Sequence, residues 1–196
     1  MEQIQSFDRN ILDFLYKFAI SHPIAEFISQ IFALATIYLV PLILLCLWFR
    51  KDDNDKNKIV ALDVLFAGII GWQVIAGIVK QFIFRARPFE NGLISVNELV
   101  FHRPDQSFPS DHASLIFAVT FMLYFLKQYK LANLTLIAAI LVSLARIATG
   151  LHYPSDILGG VVVGFMVAFV MWLVKKPFEK YIARPIINLA RKLRLA

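Results

Sequence analysis

Five apolar runs, each close to the length that crosses a bilayer, dominate this chain: 27–49, 59–84, 109–126, 131–149 and 156–174. A hydrocarbon core is spanned by about 20 helical residues. Within lipid, each run has to satisfy its own backbone groups, which predicts helices. The runs use most of the 196 residues and leave room only for short connections. Composition agrees, with 59% hydrophobic and 17% charged residues, where soluble domains hold about 45–50% and about 25%. The expected fold is all-α: a polytopic membrane helix bundle of about five transmembrane helices, forming a single domain over 1–196.

Two flanking segments predict helices that lie on the membrane surface. The stretch 10–20 is too short to cross and is followed by Pro23. Ile11, Leu12, Phe14, Leu15 and Phe18 fall on one side, opposite Asp13 and Lys17, which is an interfacial pattern. A sixth, unusually short span through this stretch is the alternative. In the tail 178–196, Ile182, Ile186, Leu189 and Leu193 form a stripe beside Arg184, Arg191, Lys192 and Arg194. Glu2 and Asp8 stand where a cleavable signal peptide would be basic, so none is expected. Cys46 has no partner thiol and reads as a small packing residue. The net charge of +6 and pI near 9.5 suit basic loops facing anionic lipid better than nucleic acid. Of 20 Lys and Arg residues, 13 fall in the loop 50–58, the turn 127–130 and the tail from Lys175, and 7 elsewhere. The basic side is expected to be cytoplasmic, with the C-terminus inside.

The remaining polar residues gather at the other side. Lys80, Arg85 and Arg87 end the second run. Ser110, Asp111 and His112 open the third, Arg146 ends the fourth, and His152 and Asp156 bracket the start of the fifth. Antiparallel threading brings these ends together at the outer face. Ionisable groups at spans are costly and mark a functional site by default. Lys80 and Arg87 are two helical turns apart and share a face. Arginine forks suit phosphate oxygens, and the helix start at Ser110 offers free N–H groups to an anion. With Asp156 orienting one ring nitrogen of His152, the other is free to attack. A second imidazole then protonates the leaving oxygen. Two His and two Asp are also a possible zinc set, but the surrounding cations repel a metal, and none is expected.

These residues resemble the type 2 phosphatidic acid phosphatase superfamily. Its K-x6-R-P motif matches Lys80 to Arg87 and Pro88. Its P-S-G-H motif matches Pro109-Ser110-Asp111-His112, with Asp111 in place of glycine. Its S-R-x5-H-x3-D motif matches Ala145-Arg146 to His152 and Asp156, with Ala145 in place of serine. The resemblance implies a motif core over 80–156 and no cofactor. By position it implies His152 as the nucleophile forming a phosphohistidine, Asp156 as its orienting carboxylate and His112 as general acid. Lys80, Arg87, Ser110 and Arg146 resemble the phosphate-binding residues. The run from Arg87 to His112 is similar to the undecaprenyl-diphosphatases of the bacitracin-resistance type. That similarity implies hydrolysis of undecaprenyl diphosphate to the monophosphate on the outer face of a bacterial cytoplasmic membrane, recycling the lipid carrier of the cell wall. The partners implied are this polyprenyl diphosphate and membrane lipids, with no nucleic acid and no obligatory protein.

Arg85, Arg103 and Asp111 are accessory candidates, the two arginines for a second phosphate. The connection 89–108 is either a tail guide lying on the membrane or an ordinary amphipathic connector. His102 reads as a surface residue, and Asp63 as too far from the outer site to act there. Two other functions remain open: a phosphatidylglycerophosphate or phosphatidic acid phosphatase, and a non-enzymatic lipid transporter or scramblase.

Overall fold

The structure is a computed structural model that describes residues 2–50, 55–92 and 106–195. Arg103, His102 and the middle of the connection 89–108 lie outside the described residues, as do positions 51–54 of the basic loop. Among the described residues every regular element is helical. We number them α1 (Glu2–Ser21), α2 (Pro23–Phe49), α3 (Lys56–Phe82), α4 (Asp111–Phe125), α5 (Tyr129–Ala148), α6 (Pro154–Leu173) and a tail helix α7 over 175–192. Two of these contain π turns, at Ile70–Ala76 in α3 and Glu179–Ala183 in α7.

The all-α membrane bundle expected from the apolar runs is what forms. By length and apolarity α3, α5 and α6 are each sufficient to cross a bilayer. The pair Gln3–Ser21 and Pro23–Thr36, bent by 119°, gives up to four spans. α2 is a continuous helix of 27 residues, and α4 is a shorter apolar one. At 15 residues, α4 is shorter than the 109–126 run because Ser110, in extended conformation, caps it. Its hydroxyl accepts from Ala113 N, as capping residues do. It is also the central helix, buried from Ala113 to Leu123 on nearly every side.

Two apolar clusters meet along α4. One joins Leu12 of α1 to Ala113, Ile116, Val142, Tyr153 and Ile157. The other joins Ile43, Leu62, Val64, Met122, Leu123 and Met171 to Phe178 and Ile187 of the tail. Close approach of α4 and α6 depends on glycine. A Cβ at Gly160 would lie 2.6 Å from Ala113 Cβ, and one at Gly164 would lie 2.7 Å from Ala118 N.

The first expectation to need correction concerns α1. It runs from Glu2, well before residue 10, and it is built into the bundle. Its buried face carries Asp8, Leu12 and Ala19, while Phe14 is 71% exposed. In lipid, phenylalanine gains nothing by turning inward, so the smaller and polar residues take the protein contacts. The same logic governs the tail, where Phe178, Ala183 and Ile187 are buried and the expected stripe at Ile182, Leu189 and Leu193 is exposed.

Candidate active site

Five chain segments converge at one end of the bundle. The end of α3 brings Lys80, whose Nζ donates to Asp111 Oδ2 at the start of α4 over 2.6 Å. The extended segment after α3 brings Arg85 and Arg87. The end of α5 brings Arg146, and the turn before α6 brings His152. Ser110 N donates to the carbonyl of Asp156, which ties the beginnings of α4 and α6 together.

His152 is completely buried, and its tautomer follows from its neighbours. Nδ1 lies 3.0 Å from the carbonyl oxygen of Ser107. A carbonyl only accepts, so Nδ1 carries the proton. The lone pair is therefore on Nε2, which accepts from Arg87 NH1 at 3.2 Å and Arg146 NH2 at 3.3 Å. Both guanidiniums are buried and fixed by backbone carbonyls: Arg87 donates to Leu151 O, and Arg146 to Ala33 O of α2. An imidazole nitrogen thus faces two arginine forks, the groups that suit phosphate oxygens. Burial holds the His152 pKa well below its ordinary 6.5, and Arg146, Arg87 and Lys80 push it the same way. The neutral, nucleophilic ring is the favoured form.

Asp156 is placed differently from the simple expectation. Its Oδ2 lies 3.6 Å from His152 Nδ1, too far for a hydrogen bond. That oxygen instead accepts from Ser107 Oγ at 2.5 Å and Tyr153 N at 2.8 Å. Ser107 therefore stands between the carboxylate and the imidazole, offering its hydroxyl to one and its carbonyl to the other. Sequence reading gave it no role, although it stands in the run from Arg87 to His112, two residues before Pro109.

His112 lies one residue inside α4, within electrostatic reach of Arg146, His152, Arg87 and Lys80. With Asp111 it lines an apolar cavity of about 460 Å³ between α2, α3 and α4, together with Val40, Leu44, Leu65, Ile69 and Trp72. Arg85, expected to be available to a second phosphate, is already engaged by Asp8 and Asp156. Asp63 lies near the other end of α3, in reach of Glu179 and Lys175 of the tail. Among the described residues, no group of three or more His, Cys, Asp or Glu side chains is placed to hold a metal ion.

The motif residues, their order and their meeting place define a class: the chain belongs to the PAP2 superfamily, whose model matches residues 59–180. It is a multi-pass membrane protein of that family. Among curated relatives, the bacitracin transport permease protein BcrC of Bacillus licheniformis is 30% identical over 169 residues, covering 86% of this chain and 79% of that one. The undecaprenyl-diphosphatase BcrC of Bacillus subtilis is 32% identical over 151 residues, covering 73% of this chain and 72% of that one. The fold is similar to that of the Aquifex aeolicus LpxE crystal structure, with a TM-score of 0.64, 23% identity, and coverage of 84% of this chain and 93% of that one.

Proposed function

We propose that the protein is a metal-independent lipid phosphatase that hydrolyses undecaprenyl diphosphate to undecaprenyl phosphate and phosphate. The observation that carries this reading is the fixed tautomer of His152, with its Nε2 lone pair held between Arg87 and Arg146. Nε2 attacks the terminal phosphorus in line. The bond to the bridging oxygen breaks, its electron pair stays on the leaving prenyl phosphate, and His112 supplies the proton. Water then attacks phosphorus, His112 takes its proton, and the P–N electron pair returns to His152. Arg87, Arg146 and Lys80 hold the non-bridging oxygens, whose charge redistributes in the transition state. Ser110 N already bonds Asp156 O, so its contribution to phosphate is the helix start it caps.

A lipid substrate is supported by the cavity. If His112 protonates the leaving group, the rest of the lipid extends from the His112 side, and the apolar cavity lies there. Undecaprenyl diphosphate as the substrate is supported by the Bacillus subtilis relative, whose name is undecaprenyl-diphosphatase. The basic loops support an orientation with the site at the outer face and the C-terminus in the cytoplasm.

Phosphate release from undecaprenyl diphosphate by purified wild type, His112→Ala and His152→Ala tests the reading. His152→Ala is expected to bind substrate but release no phosphate, and His112→Ala to slow release by about 10²–10⁴-fold. Wild-type turnover in His152→Ala overturns the mechanism. Faster turnover of phosphatidylglycerophosphate than of the prenyl diphosphate overturns the substrate.

A further inference from the structure

The proposed chemistry uses Asp156 and His152 but does not explain the buried charges beside them. Asp8 of α1 is only 1% exposed. Its Oδ1 accepts from Ser155 N at 2.9 Å, and its Oδ2 from Ser155 Oγ at 2.6 Å and Arg85 NH2 at 2.5 Å. Arg85 NH1 in turn donates to Asp156 Oδ1 and to Ser155 Oγ, each at 2.6 Å. The guanidinium lies over the Tyr153 ring, 4.1 Å from its centroid. The Arg85 backbone reaches the same centre, because its carbonyl accepts from Ser107 N at 2.8 Å. One arginine therefore fixes the free oxygen of Asp156 with its side chain and steers Ser107 with its main chain. Those are the two groups that flank the Nδ1 side of His152.

Resting on the phosphohistidine reading, we propose that Asp8 and Arg85 are positioning residues. Together they hold Asp156 and Ser107, and through them aim His152, so that α1 is part of the catalytic apparatus. Several facts favour this over a purely structural ion pair. A half-buried cation between two buried carboxylates is a network in which each charge depends on the others. Arg85 is the partner of Asp156 Oδ1 among the described hydrogen bonds, and with Ser107 Oγ and Tyr153 N on Oδ2 it completes the hold on that carboxylate. Asp8 in turn decides where Arg85 sits, since it grips the opposite side of the guanidinium and the first turn of α6 together. A phosphorylated His152 would carry positive charge on its ring, and a carboxylate held in place stabilises it without reorganising.

The test measures phosphate release from undecaprenyl diphosphate by wild type, Asp8→Asn, Asp156→Asn, their double variant and Arg85→Lys, with His152→Ala as reference. Asp8→Asn keeps the shape and removes the charge. Its kcat is expected to fall about 10- to 100-fold, the range for coupled neighbours, with KM changed less than about two-fold. The double variant is expected to be no slower than Asp156→Asn alone, since both act through one carboxylate. Arg85→Lys keeps the charge without the fork and is expected to fall between wild type and Asp8→Asn. Wild-type kcat in Asp8→Asn, or losses that multiply in the double variant, overturn the proposal. If Asp8→Asn does not yield folded protein, Arg85→Lys decides: folded protein with wild-type kcat overturns it. An active His152→Ala would instead sink the phosphohistidine reading. An inactive His152→Ala beside a fully active Asp8→Asn sinks the positioning proposal alone.

Discussion

At the scale of single residues, the site depends on which nitrogen of His152 is bare. Ser107 O claims the Nδ1 proton, and the arginines then face a lone pair. Because burial and three cations lower the His152 pKa, the folded protein takes up this proton less readily than the unfolded chain. The stability linked to it is fully present above pH 6.5 and is lost as pH falls through the lowered value. In kcat/KM, the acid limb belonging to this residue is expected below pH 6.5. Arg146→Gln removes a repelling charge, so that limb is expected to move upward relative to wild type on the same substrate. A pH–rate profile checks this, and an unmoved limb refutes it. Motif spacing alone marks Lys80, Arg87, Ser110, Arg146, His152 and Asp156, because helical turns and short connections preserve such spacings. It does not reach Asp8 and Ser107, which act through contacts 147 and 45 residues away in sequence. Nothing local in the chain announces such contacts.

At the scale of elements, apolar runs locate helices well and helix faces poorly. Their centres match α2 to α6 within a few residues. Which side turns inward does not follow from hydrophobicity, as Phe14 and the tail stripe show, because lipid is as apolar as a protein core. Small residues are the better guide, and Gly160 is an instance. Valine there would drive a Cβ into Ala113 and within 2.9 Å of Ser110 O and Ser114 N. Gly160→Val is expected to cost about 1–3 kcal/mol and to spread α4 from α6, pulling Ser110 away from Asp156. Gly77 has open space around its missing Cβ, so Gly77→Ala is expected to be neutral or to add up to about 1 kcal/mol through helix propensity. Melting midpoints of the two variants in detergent compare them directly.

At the scale of the molecule, charge is divided between two ends. The end away from the site is pinned by contacts between the tail and the body: Arg191 with Asp55, Trp48 Nε1 donating to Leu195 O, and Phe66 against Phe178. The proposed orientation has a direct test after Cys46 is replaced by serine. A membrane-impermeant maleimide is expected to label Asn10→Cys in intact cells, and Arg194→Cys only after permeabilisation. The reverse pattern would turn the molecule over and put the phosphatase site in the cytoplasm.

The wide turn at Ile70–Ala76 gives α3 an uneven tolerance to changes in length. An α-helix advances about 100° with each residue, and a π turn absorbs an extra one. Everything past Ala76 is therefore out of phase with the first half of the helix. Losing one position within 70–76 would leave a rod still long enough to cross the bilayer. Its last stretch would also keep its facing, because the turn gives up its extra residue and closes to α geometry, whereas losing one position within the regular turn 77–80 would rotate it by roughly a quarter of a revolution, swinging the ammonium of Lys80 off Asp111 and towards hydrocarbon.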